Sequence, residues 1–117
     1  FIHAANETYF VFAGIYETWY DNELKKTILT CALLTTEPNE KIATIHERMP
    51  VILEPSSWKT YLDEGSTYQK LNSLYTPLAD EKVEFYPVGD AVNSVKNDTA
   101  ECIEEFTEMP PRQATLF

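Results

Sequence analysis

The sequence predicts an α+β domain, dominated by antiparallel sheet and connected by short helices. Three observations predict it. Residues 9–20 are dense in aromatic and β-branched side chains, as strands are. A second apolar run, residues 26–34, follows directly after an Asp21-Asn22-Glu23 turn. The helical signals that come later are all short. At 117 residues, with 44% hydrophobic and 13% aromatic content, the chain is globular, one domain at most, with a modest core. The domain is expected over residues 1–106, with a proline-containing tail over residues 107–117.

Taken in order, Phe1 to Ala4 read as the end of a strand and Asn6-Glu7 as a turn. Gly14 interrupts the strand of residues 9–20 and predicts a bulge or a close backbone approach. The run Ile28, Leu29, Cys31, Ala32, Leu33, Leu34 predicts a strand buried on both faces, with Cys31 a buried thiol. Gly14 and these apolar strands look like members of a larger barrel, whose unpaired edges would associate if exposed. Thr35-Thr36 reads as an N-cap pair, followed by a short helix over residues 39–45 with Ile42 and Ile45 on one face. Val51-Ile52-Leu53 reads as a short buried strand after Met49-Pro50.

Pro55-Ser56-Ser57 starts a helix whose core face is Trp58, Tyr61 and Leu62, spaced i, i+3, i+4. Gly65 ends it. Residues 67–74 form a second short helix carrying Leu71 and Leu74, closed by Pro77. Residues 82–88 alternate as a half-exposed strand, and Asp90 caps a helical turn running to Val95.

Composition narrows the function. No apolar run approaches the length of a membrane-spanning helix. The first residues have no basic stretch and no initiator Met, so the chain is expected to begin inside a longer gene product. Cys31 and Cys102 stand far apart without a Cys-x-x-Cys, and neither lies near His3 or His46, so no metal site or cofactor is expected and a reducing cytoplasmic setting is. The net charge of −10 opposes nonspecific DNA binding, which needs a basic surface.

The chemistry concentrates at Thr44-Ile45-His46-Glu47-Arg48-Met49-Pro50-Val51-Ile52-Leu53. Pro50 fixes its own φ and pushes Met49 towards extended backbone, so His46 sits just before a rigid turn into the core. Histidine both gives and takes protons near neutrality; a surface or structural role is the plainer alternative.

Four segments, in order, resemble the SRAP family (SOS response-associated peptidase; abasic-site DNA–protein crosslink proteins). Ile45 to Leu53 is similar to its "IHxRMPVIL" signature, and Phe12-Ala13-Gly14-Ile15-Tyr16-Glu17-Thr18-Trp19 to its "FAGLWExW" strand. Residues 28–39 resemble its "F-I-x-T-x-x-A-N" stretch, with Thr35 eleven residues ahead of His46, and residues 88–97 its "VSxxVNxxKN" segment. The resemblance covers about Phe1 to Cys102 and implies the C-terminal portion of a barrel-like SRAP fold.

It also implies a function. Members carry a cysteine directly after the initiator Met, whose amine and thiol capture the aldehyde of an abasic site in single-stranded DNA. The family is also described as an autopeptidase that exposes this cysteine, and a lyase activity is associated with it. A glutamate in "ADGFYEW" and the histidine of "IHxRMP" assist by proton transfer. Here the histidine is His46. The cysteine and that glutamate have no counterpart, and Glu17 belongs to the "FAGLWExW" strand, so neither role is transferred. The N-terminal remainder of the same protein would supply them.

For Thr35 the readings are an N-cap, a contact to the DNA backbone, or a group orienting His46. For Arg48 they are a phosphate contact or a surface salt bridge. Asn93 is a turn-former or a DNA contact, and Lys96 a phosphate contact. The competing reading is a non-catalytic interaction domain that kept the fold. Separately, Gln113, Leu116 and Phe117 form a Gln-x-x-Leu-Phe end similar to peptides that dock on the bacterial sliding clamp, which would tether the protein to the nucleoid at replication forks.

Overall fold

The computed structural model describes residues 1–107. They form small antiparallel two-stranded sheets, short helices and 3₁₀ turns, grouped in two compact units: residues 4–83, and residues 1–3 with those from 84 onward. Among the described residues the strands form short ribbons in a mixed α/β arrangement, without a closed barrel. Gln113, Leu116 and Phe117 lie outside the described residues.

Within residues 4–83, β2 (Gly14–Asp21) and β3 (Lys26–Leu33) form a hairpin in unbroken register from Gly14↔Leu33 to Asp21↔Lys26. The turn is built by the Asp21 carboxylate, which accepts the backbone N–H groups of Glu23 (2.8 Å) and Leu24 (3.0 Å). Lys25 takes up the left-handed conformation at φ 51°. Gly14 starts β2 where a Cβ would lie 3.3 Å from the Ala32 carbonyl oxygen, so the expected close approach is real.

The hairpin overturns one expectation. β3 is not buried on both faces: Leu29 and Leu33 are 66% and 59% exposed, and Cys31 is an exposed free thiol. A ribbon of two strands has no layer of its own to cover either face.

Burial is found instead where three segments interlock. The Ala13 N–H donates to the Val51 carbonyl (2.8 Å) and Leu53 N–H to Val11 (2.8 Å), around an antiparallel bridge between Phe12 and Ile52. Leu34 N–H donates to Ala13 and Val51 N–H to Leu34, both at 2.9 Å. Met49, Val51 and Leu53 alternate into the interior, and Ala13, Val51 and Leu53 make a core against which Trp58, Tyr61 and Leu74 pack. The run is thus an alternating strand rather than one buried throughout.

Two further corrections concern caps and faces. Thr35-Thr36 is not an N-cap pair: it is β4 (Thr35–Thr36), antiparallel to β5 (Met49–Pro50). The cap of α1 (Glu40–Ala43) is Asn39, whose side-chain oxygen accepts the Ile42 N–H at 2.8 Å. Asn39 is itself buried, donating its amide to the Leu78 carbonyl (2.7 Å). Ile42 is buried but Ile45, past the helix end, is half exposed.

In α2 (Pro55–Leu62) Trp58 and Tyr61 face the core as expected, whereas Leu62 is exposed, because the chain leaves the helix at Asp63 in extended backbone. Trp58 donates its indole N–H to the Leu53 carbonyl (3.0 Å), and Tyr61 its hydroxyl to the Gly14 carbonyl (2.7 Å). α3 (Tyr68–Asn72) is capped by Thr67.

β1 (Ile2–Ala4) pairs with β6 (Val83–Phe85), and most of both strands lies in the other unit. Phe1, His3 and Tyr86 gather their rings at 5.6–5.7 Å, and the Tyr86 hydroxyl donates to the Ile103 carbonyl (2.7 Å). The 3₁₀ turn over Asp90–Asn93 has Gly89 as its N-cap, one residue before the expected cap at Asp90. No helix among the described residues is long and apolar enough to cross a membrane.

Candidate acid–base site

His46 follows the last turn after α1, where its backbone N–H donates to the Ile42 carbonyl (2.9 Å). Three residues later the chain is locked into β5 by pairing of Met49 with Thr36 and Pro50 with Thr35. The loop of residues 46–48 is therefore pinned at both ends. Its histidine ring is exposed, and one nitrogen is committed. Nδ1 accepts the Arg48 backbone N–H at 3.0 Å and lies 2.7 Å from the Arg48 carbonyl oxygen. Among the described residues Nε2 meets no hydrogen-bond partner.

Arg48 is held in turn. Its Nη2 donates to the Thr35 carbonyl (2.8 Å) and hydroxyl (2.9 Å), and its Nε to the same hydroxyl (3.3 Å). The partners are neutral oxygens, and among the described residues Arg48 makes no surface salt bridge, the other reading expected of it. Likewise Thr35 caps no helix; it receives the guanidinium. Thr35, His46 and Arg48, distant by up to thirteen residues, thus form one continuous hydrogen-bonded chain.

Asn93 and Lys96 belong to the other unit. The Asn93 amide donates to the Asp90 carboxylate (3.3 Å), the turn-forming role, and Lys96 is exposed.

A cavity of about 300 Å³ in residues 4–83 went unread in the sequence. Tyr9, Phe10, Leu53, Trp58 and Leu78 line it, beside an ion pair between Lys82 and Glu54. It does not reach His46. Nearer the core, burial pushes the Tyr61 phenol above its ordinary 10.0, with the neighbouring Tyr75 adding to the shift.

The chain belongs to the SRAP family: the model of the SOS response associated peptidase (SRAP) family matches residues 1–95. It is 43% identical over 96 residues to the abasic site processing protein YoqW of Bacillus subtilis, covering 81% of this chain and 42% of that protein. It is 35% identical over 94 residues to the abasic site processing protein HMCES of Gallus gallus, covering 78% of this chain and 27% of that one. A crystal structure of a protein from Bacteroides thetaiotaomicron superposes with a TM-score of 0.80 at 26% identity, covering 90% of this chain and 47% of the other. The chain therefore spans less than half the length of these relatives.

Proposed function

We propose that this chain is the His46-bearing portion of an abasic-site processing protein, completed into a barrel by the remainder of the same protein. That remainder supplies the amine and thiol that capture the abasic aldehyde in single-stranded DNA, and self-cleavage behind the initiator Met exposes them. The observation that supports this reading is an exposed imidazole held through Nδ1, with Nε2 uncommitted, among relatives named for abasic-site processing.

The chemistry needs such a group. The closed sugar opens to its aldehyde by moving a proton from the hydroxyl to the ring oxygen. The amine adds to the aldehyde carbon, a proton shifts from nitrogen to oxygen, and the hydroxyl leaves as water on protonation, giving an imine. The thiol then adds across the C=N bond, closing a sulfur–nitrogen ring, so that aldehyde plus amine plus thiol become ring plus one water. His46 delivers and removes the protons in these steps, a contribution of about a hundred- to ten-thousandfold in rate. Arg48 and Lys96 contact phosphate, with Thr35 and Asn93 beside the DNA backbone. The tail residues Gln113, Leu116 and Phe117 dock on the sliding clamp in the bacterial cytoplasm.

The test is His46→Ala in the full-length protein with an abasic oligonucleotide, read as product surviving a denaturing gel. Crosslinking slows by about a hundredfold or more; an unchanged rate removes His46 from the mechanism. The net charge of −10 favours a second reading, a non-catalytic interaction domain. It predicts binding in a native gel with no covalent product. For the tail, a clamp pull-down is expected to lose the protein when Leu116 and Phe117 are both changed to Ala; equal capture removes the docking role.

A further inference from the structure

We propose that Arg48 is the positioning residue for His46, and that it works through its own peptide, clamped by Thr35. The proposal rests on His46 as the acid–base group. Nδ1 meets a donor and an acceptor of one residue: the Arg48 N–H at 3.0 Å and the Arg48 carbonyl oxygen at 2.7 Å. An imidazole nitrogen is an acceptor when bare and a donor when protonated. The Arg48 peptide satisfies Nδ1 in both conditions, so the ring need not turn when its proton inventory changes. Nε2 can then take a proton in one step and give one in the next from the same place.

This device works only if the Arg48 peptide is itself fixed. His46 and Arg48 are both exposed, so packing does not fix them. Three hydrogen bonds from the guanidinium to Thr35 do, and Thr35 is anchored in β4 opposite Pro50. The planar fork of arginine makes these bonds together; the lysine ammonium, a point charge, cannot reproduce them. Thr35 therefore acts on His46 through Arg48, without touching the ring.

The experiment uses the full-length protein with isotope-labelled histidine, the His46 signals being assigned by their loss in His46→Gln. Ring order is read by relaxation, and crosslinking of an abasic oligonucleotide is followed at saturating DNA. The parent ring is expected to be as ordered as backbone, about 0.85, and to fall below about 0.6 in Thr35→Val and Arg48→Lys. The saturated rate falls by about ten- to hundredfold in both variants, because the acid–base group is displaced. Thr35→Ser keeps the hydroxyl and restores ring order and rate.

A ring as ordered in Thr35→Val and Arg48→Lys as in the parent overturns the proposal. So does full activity in Arg48→Lys, which assigns Arg48 to charge alone. A loosened ring with a rate that neither these variants nor His46→Ala change upholds the positioning and sinks the catalytic reading of His46 instead.

Discussion

Two apolar runs of this chain, residues 28–33 and residues 49–53, look alike as sequence and differ as structure. In the first, Leu29 and Leu33 stand in solvent; in the second, Val51 is fully buried and Leu53 nearly so. The backbone explains it. The second run is hydrogen-bonded to the segments around Ala13 and Leu34, and α2 lies over it with Trp58 and Tyr61. The first run has only β2 beside it, and β2 carries Ile15, Tyr16, Trp19 and Tyr20 into solvent as well. Hydrophobic composition states a demand for cover; the number of layers decides whether it is met.

The contrast can be broken or sharpened by mutation. Leu53→Ala is expected to destabilise by about 3 kcal/mol in urea denaturation, because the core leaves a cavity behind. Gly14→Ala, at the joint between the two regions, costs about 1 kcal/mol, since the new Cβ must displace the Ala32 carbonyl that it meets at 3.3 Å.

Tyr61 tests the covered region by pH. Its folded-state pKa lies above the unfolded value of 10.0, so its contribution is whole below 10.0 and is lost as pH rises through the folded value. Tyr61→Phe removes that alkaline loss while giving up about 1 kcal/mol of hydrogen bond to Gly14 at neutral pH. Denaturation midpoints at neutral and strongly alkaline pH measure both effects. Leu33→Ser, on the uncovered ribbon, is expected to change stability by less than about 0.5 kcal/mol. A cost near that of Leu53→Ala would refute the distinction.

Much of this was legible in the sequence because it is local. The Asp21-Asn22-Glu23 turn, the interruption at Gly14 and the Trp58–Tyr61 face depend on neighbours along the chain. Thr35 was misread as a cap for the same reason: a Thr-Thr before Pro38 carries the local signature of one, yet Asn39 won by reaching both Ile42 and Leu78. The site was legible in part. His46 declares itself by residue type. What holds it does not, since the Arg48 peptide has no side-chain signature and the Thr35 contact exists only through the β4–β5 register.

The hydrogen bond from the Trp58 indole to Leu53 has an optical consequence. With Trp19 half in water, the two tryptophans report on separate regions. A charged quencher such as iodide should dim the redder emission first. The bluer component would survive until Leu53 itself lets go, giving a two-colour gauge of unfolding with no added dye.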